Sequence, residues 1–222
     1  MCLNILAIDM TFSCASIALL KNNSIYTSSL FNFRIKDINI YNCINSLLTS
    51  HGIQVQDLDY ISFSKGPGNF TGLRISCNIA QGLSLGLNIP ILSVSTFILM
   101  AEEVSKKKKF NKVIVAMKAT KEKFYWGKYK KNKYGFWIGE NTEVLLDRKT
   151  ILKKVNMINS VYISVGSAWS EIPNTSRCIK NIKDITYPNI RYIFPTSLLY
   201  IQKNIIFPAH KIEPVYLNKY LS

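Results

Sequence analysis

Histidine is almost missing from this chain: of 222 residues only His51 and His210 are present. A zinc or iron centre built on imidazoles would lack ligands. Cysteine does not make up the shortfall. Cys2, Cys14, Cys43, Cys77 and Cys178 are odd in number, scattered and never spaced C-x-x-C, which points to reduced thiols in a cytoplasm and not to a disulfide framework. No apolar run reaches membrane-spanning length. Residues 1–9 have no basic stretch and meet an acid early, so they read as a first strand and not as a signal peptide. Acidic side chains are also scarce, 13 against 28 Lys and Arg, for a net charge of +15.

The rest is a globular composition. A hydrophobic content of 48% with 18% charged residues fits a packed fold and excludes a disordered one. The length suffices for one or two domains. The charge is uneven: +1 over residues 1–100, +10 over 101–160 and +4 over 161–222. The middle stretch, opening with Lys106, Lys107, Lys108 and Lys109, is a candidate surface for RNA phosphates, where lysines act by releasing counterions. The same richness in Lys, Asn, Ile, Tyr and Phe also fits a gene drifting toward A and T.

Hydrophobic patterning gives strands near 3–9, 16–21 and 25–30, with a hairpin turn at 21–24. A helix follows over 34–50, stopped by Gly52, with Ile35, Ile38, Tyr41, Ile44, Leu47 and Leu48 at a 3.6-residue period. Then come a strand at 58–63, a helix to about 86, a strand at 90–94 and a helix capped by Ser95 or Thr96. The lysine run at 106–109 reads as a linker or a helix end. Further on, strands are expected at 113–117, 124–130, 135–145 and 161–165, with helices at 148–155 and 196–203, the last led in by Pro195. This order predicts mixed sheets flanked by helices, an α/β fold, in two subdomains over 1–105 and 106–222.

The most informative segment joins the strand at 58–63 to the following helix: Gly66-Pro67-Gly68-Asn69-Phe70-Thr71-Gly72-Leu73-Arg74. Gly66 and Gly68 allow positive φ or close backbone approach, and Asn69 or Thr71 can cap the helix. It is no P-loop, because Leu73-Arg74 follows the last glycine in place of Lys-Ser or Lys-Thr. Its glycines also miss the G-x-G-x-x-G spacing of dinucleotide folds by one residue. Two roles stay open: an anion held at the helix start, and a turn that aims the helix. The helix carries one apolar stripe at Ile75, Ile79 and Leu83 and a second at Leu73, Cys77, Ala80, Ser84 and Leu87. Gly82 costs on the order of 0.5–1 kcal/mol against alanine inside a helix, a cost that close approach of another helix would justify.

These residues resemble the TsaB (YeaZ) family. The matching segments are Ile5-Leu6-Ala7-Ile8-Asp9, Ser16-Ile17-Ala18-Leu19, the turn from Gly66 to Ile75 with Asn69 for a serine, Ala80-Gln81-Gly82-Leu83-Ser84-Leu85-Gly86, Asn88-Ile89-Pro90, Val94-Ser95-Thr96 and Glu213-Pro214-Val215-Tyr216-Leu217. The match is dense over residues 3–100 and thin beyond. The resemblance implies an actin-like, ASKHA-type fold in the wider RNase H-like class. It implies a non-catalytic, cytoplasmic accessory protein for placing a threonylcarbamoyl group on the tRNA adenosine beside the anticodon. It would act with the transferase TsaD and the ATPase TsaE, on threonylcarbamoyl-AMP made by TsaC. The pairing helices would be those near 34–50 and 71–86, giving Ile38, Tyr41, Asn45, Leu48, Leu73, Ser76, Cys77, Ala80, Leu83, Ser84 and Leu87 as candidate partner contacts. Asp9, Thr11, Gly66, Gly68, Asn69 and Thr71 are the candidate contacts for ATP, ADP or another anion at the interface with TsaD. A homodimer of the free chain through the same helices is a further expectation.

Two departures from the family pattern stand out. The usual D-T-x-T after the first strand is Asp9-Met10-Thr11-Phe12, and D-A-R-x-x-E-V-Y is Lys118-Ala119-Thr120-Lys121-Glu122-Lys123-Phe124-Tyr125. Asp9 could hold magnesium through water, although no second acid or threonine pair supports it. The alternative to an accessory subunit is a stand-alone actin-fold nucleotide-dependent enzyme or a peptidase. Against the latter, Ser13, Ser16 and Ser64 share no triad motif with either histidine. Arg74 reads as a surface ion-pair partner. Phe124-Tyr125-Trp126 reads as a strand with one buried aromatic face, or as a stacking platform for bases.

Overall fold

The computed structural model describes residues 3–12, 14–31, 39–173 and 175–217. The chain divides into two compact units, Met1–Thr96 with Asn189–Val215, and Phe97–Pro188 with Tyr216–Ser222. The sequence suggested one boundary at 105; here the chain crosses after Thr96 and returns at Asn189.

In the first unit, strands β1 (Ile5–Asp9), β2 (Cys14–Lys21), β3 (Ser24–Phe31), β4 (Tyr60–Gly66) and β5 (Ile91–Ser95) form a sheet in the order β3-β2-β1-β4-β5. β1 runs antiparallel to β2 and parallel to β4, and β4 is parallel to β5. Asn22 and Asn23, both at positive φ, close the β2–β3 hairpin, the geometry that matches strand twist. Alternate residues Leu6, Ile8, Ile17, Leu19, Ile61 and Phe63 share a core cluster with α1 (Ile40–Thr49) and α2 (Phe70–Leu87). α1 is capped by the Asn39 side chain, which accepts from Asn42 N–H, and buries Ile40, Ile44, Leu47 and Leu48. Ile35 and Ile38 of the expected helix lie outside the described residues. The returning segment packs α5 (Phe194–Gln202) against the sheet, where Ser197 Oγ meets Ser62 Oγ at 2.8 Å.

In the second unit, β6 (Lys112–Lys118), β7 (Lys123–Lys131), β8 (Trp137–Ile138), β10 (Tyr162–Val165) and β11 (Ile179–Asn181) lie in the order β11-β10-β6-β7-β8, and β9 (Val144–Asp147) also pairs with β7. The expected strand over 135–145 is therefore two short ones. Gly139, at φ +154, breaks it, and the Thr142 hydroxyl donates to Gly139 O across the intervening turn at 2.6 Å. α4 (Arg148–Asn156) buries Ile151 and Val155 among Ile114, Ala116, Phe124, Trp126 and Trp169. α3 (Thr96–Lys108) carries Glu102, whose buried carboxylate accepts Lys131 Nζ at 2.7 Å and Trp137 Nε1–H at 2.6 Å. The lysine run is thus no linker. Lys106, Lys107 and Lys108 complete α3, where cations suit the negative helix end, and Lys109 at φ 52 ends it.

Candidate functional site

The glycine turn is built against the end of β1. Asn69 N–H donates to Thr11 O at 2.6 Å, and Met10 N–H donates to Ser76 Oγ at 3.0 Å. A side chain on Gly68 would collide with Thr11 O, and one on Gly72 with Met10 O. Gly66, at φ +116, precedes a cis bond to Pro67, and added bulk there would meet Val215 O. Val215 N–H in turn donates to Lys65 O at 2.7 Å, so the Glu213-Pro214-Val215 segment is pinned to the turn. Gln81, which the sequence did not flag, completes this clamp: its amide donates to Ala209 O and Ile212 O, both at 3.0 Å. A glutamine set between Ala80 and Gly82 was the available signal.

This geometry bears on anion binding. The gap between the turn and residues 10–11 is closed by backbone contact, and Asn69 N–H is already committed. Asn69 Oδ1 caps α2 by accepting Thr71 N–H at 3.0 Å, doing what the family's serine would do. Gly66 and Gly68 are buried, whereas Asn69 and Thr71 reach the surface. A phosphate cradle between the turn and residues 10–11 does not fit this backbone contact.

Asp9 is 2% exposed at the end of β1. Its Oδ1 accepts Thr11 N–H at 2.9 Å and Thr11 Oγ1–H at 2.6 Å. Burial pushes its pKa up to about 6 against the pull of those bonds and of the neighbouring Ser64 hydroxyl. Ser64 Oγ itself is buried and completes no full hydrogen bond among the described residues. His51 is engaged elsewhere, with Nδ1 2.8 Å from Leu47 O and its ring against Tyr26. Among the described residues no three His, Cys, Asp or Glu side chains gather as metal ligands.

α2 presents two different faces. Leu73, Ser76, Cys77, Ala80 and Ser84, expected at a partner surface, are buried in the unit's own core, as is Leu48 of α1. The cause is direct packing of α2 on β4 and β1, which needs small side chains such as these for close approach. Leu83 and Leu87 are half-buried. The outward face carries Phe70, Arg74, Asn78, Gly82, Leu85 and Gly86, joined on α1 by Tyr41 and Asn45. Leu85 is 69% exposed and Tyr41 60%. Among the described residues, added carbons on Gly82 and Gly86 would meet nothing within 4 Å. Arg74 stacks its guanidinium 4.0 Å above the Phe70 ring, a cation–π contact.

In the second unit Phe124 and Trp126 are buried, so that strand has the buried aromatic face. Lys118, where the family has an acid, pairs with Glu171 at 2.5 Å, and Arg148 reaches the same carboxylate at 3.4 Å.

A curated TsaB, named "tRNA threonylcarbamoyladenosine biosynthesis protein", from Buchnera aphidicola subsp. Acyrthosiphon pisum is 40% identical over 89% of this chain and 90% of its own length. The chain belongs to the TsaB family. The Escherichia coli TsaB is 28% identical over 97% of the chain and 94% of its own length. The family model described as "TsaD: tRNA N6-adenosine threonylcarbamoyltransferase" matches residues 37–195, so the chain also belongs to the broader family of that model. The solved YeaZ from Pseudomonas aeruginosa superposes with a TM-score of 0.83 at 23% identity, covering 97% of this chain and all of that one, which shows the shared actin-like fold. Among the described residues no helix is long and apolar enough to cross a membrane.

Proposed function

We propose that this chain is a non-catalytic subunit of the machinery that forms threonylcarbamoyladenosine in tRNA, and that it works by binding TsaD through the outward face of α2 and the exposed end of α1. The observation that carries this reading is the pair Gly82 and Gly86. Each glycine costs a helix about 0.5–1 kcal/mol, and among the described residues nothing lies within 4 Å of a carbon added at either. They offset that cost if a partner helix lies flat across them, with Leu85, Phe70 and Tyr41 supplying apolar area around the contact. Asp9 supports a structural role, because its carboxylate is buried and turned to its own Thr11.

In this account TsaE joins the assembly, and ATP or ADP at the TsaD interface touches this chain at Asn69 and Thr71. Lys106, Lys107, Lys108 and Lys109 are exposed at the end of α3, and in this reading they meet tRNA phosphates. Without TsaD the same α2 face pairs with a second copy of the chain. The test is co-elution of purified chain and TsaD. Wild type forms a complex and Leu85→Glu does not; the reading fails if wild type and TsaD elute apart, or if Leu85→Glu binds as wild type does.

A further inference from the structure

Beyond the C-terminal end of α4 the sheet of the second unit is left open. A pocket of about 490 Å³ lies there, inside the roughly 300–1,000 Å³ range of small-molecule sites. Tyr162 and Trp126 line it, with Lys128, Lys154 and the amides of Asn141 and Asn159; no Asp or Glu is among its lining residues. The ammonium groups of Lys112 and Lys128 each lie 5.9 Å from the centre of the half-buried Tyr162 ring.

This crowding of cations is not a consequence of folding needs. Lys112 and Lys130 are direct cross-strand partners, and period-two alternation puts Lys128 on the same face. Like charges set opposite one another destabilise a sheet. Among the described residues no carboxylate pairs with Lys112, Lys128, Lys130 or Lys154. The nearby acids are used elsewhere: Glu143 accepts from the Tyr129 hydroxyl, and Asp147 caps α4 at Thr150 N–H.

An aromatic ring, amides and unpaired ammonium groups together recognise a nucleotide: the ring stacks a base and the lysines hold phosphates. The helix end distinguishes the source. α4 turns its negative end toward the pocket, and Lys153 and Lys154 in its last turn already answer that dipole. A triphosphate concentrated there would face that end without a backbone cradle. Phosphates spread along a strand meet separated lysines instead, and the whole unit carries 20 Lys and Arg against 8 Asp and Glu.

The geometry points to a site for one unstacked nucleotide of a single-stranded RNA segment, its base on Tyr162 and its flanking phosphates on Lys112, Lys128 and Lys154. In naming RNA as the ligand class, this site rests on the tRNA-modification reading above. The experiment is fluorescence anisotropy of the full-length chain with a labelled single-stranded RNA of about ten nucleotides, and with ATP as competitor. Tyr162→Leu weakens RNA binding about tenfold or more, as loss of one stacked base does, while Tyr162→Phe binds as wild type. The double variant Lys128→Gln, Lys154→Gln lowers the slope of log affinity against log salt by about 1.4, near 0.7 for each lost phosphate on a single strand. Unchanged RNA affinity in both Tyr162→Leu and the lysine variant, with melting as in wild type, overturns the site. So does ATP binding more tightly than RNA and displacing it, which would assign the pocket to a free nucleotide. TsaD co-elution of the same proteins separates the two readings: a failed RNA site with intact TsaD binding sinks only this inference.

Discussion

The two units spend their surfaces differently. The first is nearly balanced, with 8 Lys and Arg against 5 Asp and Glu, and its unusual exposed features are glycines and apolar side chains on α2. The second concentrates most of the chain's positive charge and leaves lysines facing each other across strands. A close-fitting face with Arg74 as its one charged residue named above suits a protein partner, for which shape complementarity is decisive. A diffuse cationic face suits a phosphate backbone, whose attraction is long-ranged and salt-dependent. Within one chain, the contrast is what the two proposals above rest on: protein docking by the first unit and nucleic-acid attraction by the second.

Several substitutions test that contrast at unequal strength. The largest effect belongs to Gly72→Ala. Its methyl would strike the Met10 carbonyl, and because a Cβ is fixed by the backbone, the clash is relieved only by moving the helix or β1. A loss of about 4 kcal/mol is expected in urea unfolding, and TsaD binding falls with it because α2 can no longer seat on β1. A stable Gly72→Ala protein would mean that the turn does not fix the helix.

Next is Asp9→Asn. Burial raises the Asp9 pKa from 3.8 to about 6, so the folded state keeps a proton that the unfolded chain has released. Its contribution is therefore full below pH 3.8 and is lost as pH climbs through about 6. Asn keeps an acceptor for Thr11 N–H and cannot ionise. At about pH 8 the variant gains up to about 3 kcal/mol over wild type, and its stability varies less between pH 4 and 7. A variant less stable than wild type at pH 8 would show that the ionised carboxylate is useful, as a cation or substrate ligand would be.

The smallest effect is in the second unit. Lys130→Glu replaces a like-charge pair with Lys112 by an opposite one and raises stability by about 0.5 kcal/mol at low salt, read as a rise in Tm. The gain shrinks as salt is added, because these side chains are solvated. A gain that persists in high salt would place its origin in packing and not in charge.

Much of this was legible from sequence. The strand, glycine turn and helix stood out because glycine permits and proline fixes unusual local backbone geometry; Gly66 and Gly68 make the close approaches expected of them, and Gly72 makes one the sequence did not single out. The faces of α2 were not legible. Its two stripes are both apolar or small, and periodicity cannot say which of them the sheet covers, so Leu73, Ser76, Cys77, Ala80 and Ser84 read as partner contacts although they are core. Nor could it show that Asn189–Val215 returns to the first unit, because that docking depends on the distant side-chain amide of Gln81 and backbone carbonyl of Lys65. The 135–145 segment misled for a local reason: its alternation is strand-like, and a single glycine at positive φ breaks it. The lysines around Tyr162 were visible only as a charge count, since their meeting requires β6, β7 and β10 to lie side by side.

The central claim is that the exposed glycines of α2 are a stability cost offset by partner docking. The direct measurement is Gly82→Ala, followed in two assays: urea unfolding of the free chain and calorimetric titration with TsaD. The free chain gains about 0.5–1 kcal/mol, because the new methyl meets open space, while TsaD affinity falls about tenfold or more as that methyl intrudes on a close helix contact. A variant that is both more stable and equal or better at binding TsaD would contradict the claim.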